Sequence, residues 1–267
     1  MRTVPMQTRP ARTFWWDRAR PGDADVEPLR AVLFDAETAL VDLERDAQRV
    51  AYNAAFDAHD LDISWGVEEY GRLLRIADEH QRVASALGAR GFGAWADTLA
   101  ARVCATQKAI VGERILDGDI AARPGLVDLV MGLFVAGTWV GVVSTCRRSW
   151  VEALVRNVVG EGLVETIVTG DDADRPGDVE LYRLALWELG ITPESALAVT
   201  GSGRGLAAAL AVGLPTVVVT TDYSACQNFT GAAALRSGYD GADPLVAAGC
   251  QQLHRQWVLA QKRLGTA

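Results

Sequence analysis

Leu29-Arg30-Ala31-Val32-Leu33-Phe34-Asp35 is the stretch on which the fold turns. Four successive apolar residues stop at a carboxylate, the pattern of a strand buried on both faces that delivers a polar residue to its C-terminal tip. Downstream, residues 46–120 change character. Val50, Ala54, Ala55 and Phe56, then Tyr70, Leu73 and Leu74, recur at helical spacing with few strand-like runs, which predicts an all-helical insert. After Arg123-Pro124-Gly125 the pattern predicts a helix to about Ala136 and then strands at 139–143, 166–169, 196–199 and 216–219, with helices at 149–159, 179–189 and 206–212 between them. Such alternation builds a parallel sheet covered by helices on both faces. Its ligands bind outside the strand C-termini, and those tips carry Asp35, Ser144 with Thr145, Asp171 with Asp172, and Thr200 with Gly201. The expected architecture is an α/β, Rossmann-like core of residues 29–45 and 121–267, a helical cap of 46–120, and an N-terminal extension of 1–28.

The totals narrow the function. At 267 residues the chain suits a core domain with a smaller insert. Its net charge of −8, with no dense Lys/Arg block, argues against nucleic acid as a partner. Cys104, Cys146, Cys226 and Cys250 form no CxxC pair, which points away from zinc sites and disulfides and toward a cytoplasmic protein. The most apolar stretch, Leu129 to Val143, is interrupted by Gly132, Gly137 and Gly141 and too short for a bilayer, so no membrane segment is expected. In the extension, Trp15-Trp16 is expected to dock on the body rather than on a partner.

Read in order, the strand tips resemble the haloacid dehalogenase (HAD) superfamily, and within it the CbbY-like and β-phosphoglucomutase-like group, from about Leu29 to Asp240. The family's D-x-D-G-T-L is matched by Asp35-Ala36-Glu37-Thr38-Ala39-Leu40, and its Ser/Thr motif by Ser144 followed by Thr145. Thr169-Gly170-Asp171-Asp172 and Glu180-Leu181-Tyr182 are similar to the flanks of its lysine motif. Thr200-Gly201-Ser202 stands where its acidic E-D-S is expected, and Asp222-Tyr223-Ser224-Ala225 with Asn228-Phe229-Thr230-Gly231 resembles a C-terminal segment of CbbY-like proteins.

The resemblance implies a phosphoryl-transfer site: Asp35 as nucleophile, Glu37 as acid/base in place of the family's aspartate, and Ser144 and Thr145 as clamps on phosphate oxygens. Pro176 falls at the lysine position, and Arg175 beside it is the candidate cationic substitute. Mg²⁺ is the implied cofactor, with Asp35, Glu37, Asp171 and Asp172 as candidate ligands; Gly201 at the family's aspartate position speaks against its binding here. In the cap, Arg82 matches the family's G-K-E-R substrate loop. His80 falls in the same segment and Lys108 near another cap lysine position, so all three are candidate substrate contacts, a solvated helical face being the plain alternative for His80 and Lys108. Ser144 and Thr145 read equally well as helix N-caps, and Asp171 and Asp172 read more readily as loop or cap carboxylates than as metal ligands. The implied ligand is a small phosphorylated metabolite. The simultaneous exchanges at 37, 176 and 201 point to an impaired or inactive protein of the sugar-phosphate phosphatase type; the alternative is an active hydrolase or phosphomutase using Asp35 and Glu37. Restoring Gly201→Asp with Glu37→Asp and Pro176→Lys is expected to raise whatever activity exists.

Overall fold

A computed structural model describes residues 26–173 and 177–265. The Trp15-Trp16 pair, Arg175 and Pro176 lie outside the described residues.

The predicted opening strand is the centre of a six-stranded parallel sheet. Strands β1 (Ala31–Asp35), β2 (Trp139–Val143), β3 (Thr166–Val168), β4 (Ala196–Thr200), β5 (Thr216–Val219) and β6 (Ala234–Arg236) are ordered β3-β2-β1-β4-β5-β6. Alternation along β1 sends side chains to opposite faces. Val32 and Phe34 join Val140, Val142, Leu197 and Val199 on one side, while Leu33 joins Val143, Val168, Ala196 and Ala198 on the other. The first layer is closed by helices α5 (Leu126–Val135), α6 (Arg148–Val158) and α9 (Ala247–Gly265), and the second by α7 (Asp178–Leu189) and α8 (Gly203–Ala211).

Register places the site. Asp35 pairs with Val143, so Ser144 begins one residue beyond the strand tip; Phe34 pairs with Val199, so Thr200 flanks Asp35 from the other side. Successive strands are therefore added to one side of β1 and then to the other, which makes its tip the topological switch at which such sheets bind ligands.

Between β1 and β2 the described chain is helical: α1 (Arg49–Ala58), α2 (Val67–Leu73), α3 (Glu79–Ala89) and α4 (Ala96–Asp117). These helices bury a separate aromatic cluster in which Trp65 stands 5.0 Å from Tyr52 and 4.7 Å from Phe56, centroid to centroid. Tyr223, from the segment after β5, packs edge-on against Tyr70 at 5.6 Å, and Asp222 accepts a hydrogen bond from Arg45 at 2.6 Å. The helical layer is thus tied to the sheet's C-terminal edge and roofs it. No described helix is long and apolar enough to cross a membrane.

Candidate functional site

The chain leaves β1 through a wide π-helical turn, Ala36–Leu40, whose first residues are organised by the carboxylate that precedes them. Asp35 caps the turn, its Oδ1 accepting from the backbone N–H of Glu37 (3.0 Å) and of Thr38 (3.3 Å). Its Oδ2 accepts from the Thr38 hydroxyl (2.9 Å) and the Thr200 hydroxyl (2.8 Å). The Thr38 oxygen in turn accepts from the Gly201 N–H at 2.7 Å. Both Asp35 oxygens are therefore engaged by this chain's own donors. Burial, and secondarily the negative charge of Glu37, push the Asp35 carboxyl up to about 7, while the hydroxyls of Thr200 and Thr38 pull the other way.

Glu37 faces the opposite strand. Its Oε1 accepts from the Ser144 hydroxyl (2.7 Å), the Thr145 N–H (2.9 Å) and the Thr145 hydroxyl (3.2 Å). The Ser144 oxygen accepts from the Cys146 N–H at 3.0 Å, which fixes the direction of its own donated hydrogen. Behind the turn, the Arg123 guanidinium donates to the carbonyls of Thr38 (2.7 Å), Val219 (2.8 Å) and Thr220 (2.6 Å). Tyr239 donates to the Ala39 carbonyl at 2.8 Å. Together they anchor the turn to the β5 end of the sheet.

Above these residues, under the helical layer, lies a cavity of roughly 590 Å³. Asp35, Glu37, Ser144 and Thr145 line its floor, and Glu44, Glu79 and Arg82 face it from the cap side. Arg204, at the start of α8, holds Asp178 through two hydrogen bonds, one of 2.8 Å, at the cavity's margin. The Tyr182 hydroxyl is buried there without a hydrogen-bond partner.

Of the residues singled out in the sequence, Asp35, Glu37, Ser144, Thr145 and Arg82 meet at this cavity. Arg82 is buried, donates twice to the Ile76 carbonyl (3.1 and 3.2 Å) and lies 5.8 Å from the Tyr70 ring centroid. His80 and Lys108 are not among the lining residues. His80 makes a hydrogen bond with the Asp97 carbonyl at 3.0 Å, and Lys108 pairs with Glu79 at 3.4 Å and is largely exposed. Asp171 and Asp172 also stand outside it. Asp171 accepts from the Arg148 N–H, and Asp172 from both Thr169 donors and the Arg148 guanidinium, so they cap and brace the end of β3. Sequence reasoning placed Thr200 at a strand tip and Thr38 and Tyr182 inside motifs without giving them a role, and missed Asp178 and Arg204. Arg204 had a readable signal, since Ser202 caps α8 through the Gly205 N–H and the helix start points at the strand tips.

Among the described residues, the carboxylates that could hold Mg²⁺ in its tight octahedral geometry are not gathered at one point. The proposed four-carboxylate set is not assembled, since Asp171 and Asp172 are bound up at β3. Among the described residues no group of three or more His, Cys, Asp and Glu converges. At 201 the obstacle is steric as well as chemical: a Cβ there would lie 2.9 Å from the Thr38 Cβ and 2.9 Å from the carbonyl oxygens of Thr38 and Val219. The gain expected from Gly201→Asp therefore meets a steric obstacle, because Thr38 and the two carbonyls crowd the place where the side chain would start.

A central parallel sheet, an aspartate at the tip of its middle strand and a helical layer over the switch point define a capped, Rossmann-like α/β fold. A family profile for haloacid dehalogenase-like hydrolases matches residues 80–219. The chain is 33% identical over 209 residues to protein CbbY of Cereibacter sphaeroides, covering 76% of this chain and 90% of that one. It is 30% identical over 218 residues to a CBBY-like protein of Arabidopsis thaliana, covering 77% and 67%. A crystal structure of a CbbY variant from Rhodobacter sphaeroides in complex with xylulose-1,5-bisphosphate superposes with a TM-score of 0.64 at 30% identity, over 84% of this chain and 99% of that one. The chain belongs to the haloacid dehalogenase-like hydrolase family.

Proposed function

We propose that this protein keeps the family's cleft as a binding site for a phosphorylated sugar while its phosphoryl-transfer chemistry is impaired. The observation that carries the reading is the state of the floor. Asp35, the nucleophile the resemblance implies, has both oxygens saturated by internal donors, and position 201 offers neither a carboxylate nor room for one. A carboxylate attacking a phosphate dianion needs cationic shielding, and one unit charge at 4 Å is worth about 4 kcal/mol at an effective dielectric near 20. Among the described residues, Arg204 is a cation beside this floor, and it is already paired with Asp178. A sugar phosphate as the ligand is supported by the cavity's size and by the bisphosphate bound to the CbbY relative.

The second reading, a working hydrolase with Asp35 as nucleophile and Glu37 as acid/base, is favoured by the convergence of Asp35, Glu37 and Ser144 on one floor, with Arg175 as its cationic clamp and Mg²⁺ as its cofactor. A screen of sugar mono- and bisphosphates, with and without Mg²⁺, separates the two, Asp35→Asn serving as the blank. We expect binding of a sugar phosphate without turnover above the blank. Turnover at the ~1 to 10³ s⁻¹ usual for enzymes, abolished by Asp35→Asn, overturns the impaired reading.

A further inference from the structure

Three donors of one short segment converge on a single oxygen of Glu37: the Ser144 hydroxyl, the Thr145 N–H and the Thr145 hydroxyl. Three donors around one anionic oxygen form a cradle for any tetrahedral or planar oxyanion, since charge-assisted hydrogen bonds of this kind are roughly twice as strong as neutral ones. The segment is built to hold that geometry. Ser144 is buried, its N–H is held by the Val168 carbonyl, and the Cys146 N–H polarises its oxygen. The cradle opens on the cavity, whose lining includes Glu37, Ser144 and Thr145 together.

We infer that Glu37 is an internal ligand: its carboxylate fills an oxyanion site made by Ser144 and Thr145, and an external phosphate group takes that site only when Glu37 swings out. The inference rests on the phosphorylated-ligand reading of the cleft and adds what controls access to it. Length is the reason a glutamate can do this, because its carboxylate stands one methylene further from a backbone anchored at Asp35 and reaches across to the tip of β2. Room for the outward movement exists in the adjoining cavity, so exchange needs a side-chain rotation rather than a backbone change. Glu37 and the phosphate compete for the same three donors, so apparent affinity falls by the fraction of time the cradle is free.

The test is calorimetric titration of the full chain with inorganic phosphate at constant ionic strength. Glu37→Ala is expected to bind phosphate at least ten-fold more tightly than the unmodified chain, and adding Ser144→Ala to that background takes several-fold of the gain away. Glu37→Gln separates occupancy from charge repulsion, since its amide oxygen still accepts from the three donors without the negative charge. It is expected to stay nearer the unmodified chain than the alanine variant does. Thermal unfolding supplies a second readout, because a ligand that binds only the native state raises the melting temperature with its concentration. Phosphate should raise that of Glu37→Ala by several degrees and that of the unmodified chain no more than sodium chloride does. If Glu37→Ala fails to fold, Glu37→Ser carries the same comparison. Equal affinity in all variants, a glutamine variant matching the alanine one, or no binding by Glu37→Ala each overturn the inference. The cleft reading is judged separately, by sugar-phosphate binding and turnover in the unmodified chain.

Discussion

The two flanks of Asp35 are filled in different ways. Toward β4, the closure is made by backbone: the Gly201 N–H rests on the Thr38 oxygen, and the carbonyls of Thr38 and Val219, both gripped by Arg123, crowd the place where a side chain at 201 would start. Toward β2, the closure is a single carboxylate lying in a cradle beside an open cavity. One flank is shut by what cannot move without unfolding locally, the other by a side chain with rotational freedom. A carboxylate is therefore hard to place on the first flank, whereas binding on the second stays within reach of one rotamer.

The harshest way to break this comparison is to force a side chain into the closed flank. Gly201→Asp should cost upwards of about 3 kcal/mol, as overpacking combined with a buried charge does. Thermal unfolding measures it, and an unchanged melting temperature would mean that the turn yields after all. Thr38→Gly, which removes the nearest Cβ, should recover about 1 kcal/mol of that loss in the double variant, a coupling expected only of residues in contact.

A gentler probe concerns the carboxylate between the flanks. Asp35 is pushed up to about 7 in the folded chain from an ordinary value of 3.8. In the window between those values the unfolded chain has released this proton and the folded chain still holds it. Its contribution to stability is therefore complete below about 3.8, declines as pH rises, and is gone above about 7. Unfolding free energies followed across that window should slope downward with pH more steeply for the unmodified chain than for Asp35→Asn. Thr200→Val removes a donor that holds the carboxylate form, so it should move the Asp35 titration further upward in carboxyl-carbon NMR and cost about 1 kcal/mol.

The smallest effects belong to residues away from both flanks. His80→Ala and Lys108→Ala should each change stability by no more than about 0.5 kcal/mol and leave sugar-phosphate affinity untouched. A ten-fold loss of affinity in either would extend the site along the cap.

How much of this could be read from the chain depended on the length scale involved. Strands β1, β2, β4 and β5 stood out because each is a buried apolar run, and β3 because it fills the expected gap between two amphipathic helices. Strand β6 did not. Ala-Leu-Arg is three residues long at an edge, with Leu235 exposed, so neither burial nor alternation marks it. Helix α9 was also passed over, the periodic reading having stopped at β5. At the site, the gathering of Asp35, Glu37 and Ser144 followed from strand order alone. The partners of each carboxylate did not: the bonds from Thr200 to Asp35 and from Ser144 to Glu37 join residues 165 and 107 positions apart, and are decided by a methylene's length and a turn's width. Asp171 and Asp172 left two readings open for the same reason, since a strand-tip carboxylate aimed at a ligand and one capping its own turn look identical in one dimension; the structure shows the capping one.

The fit between Thr38 and Gly201 also bears on the order in which substitutions can accumulate. With glycine at 201 and the turn packed against it, an acidic residue placed there alone meets two carbonyl oxygens, and the chain carrying it is expected to fold poorly. Selection acts on chains that fold, so that path is closed unless the turn loosens first. Under the proposed function the contact works as a ratchet: a chain that has crossed it specialises in holding a ligand, and a few tenths of a nanometre of main chain stand on the path back.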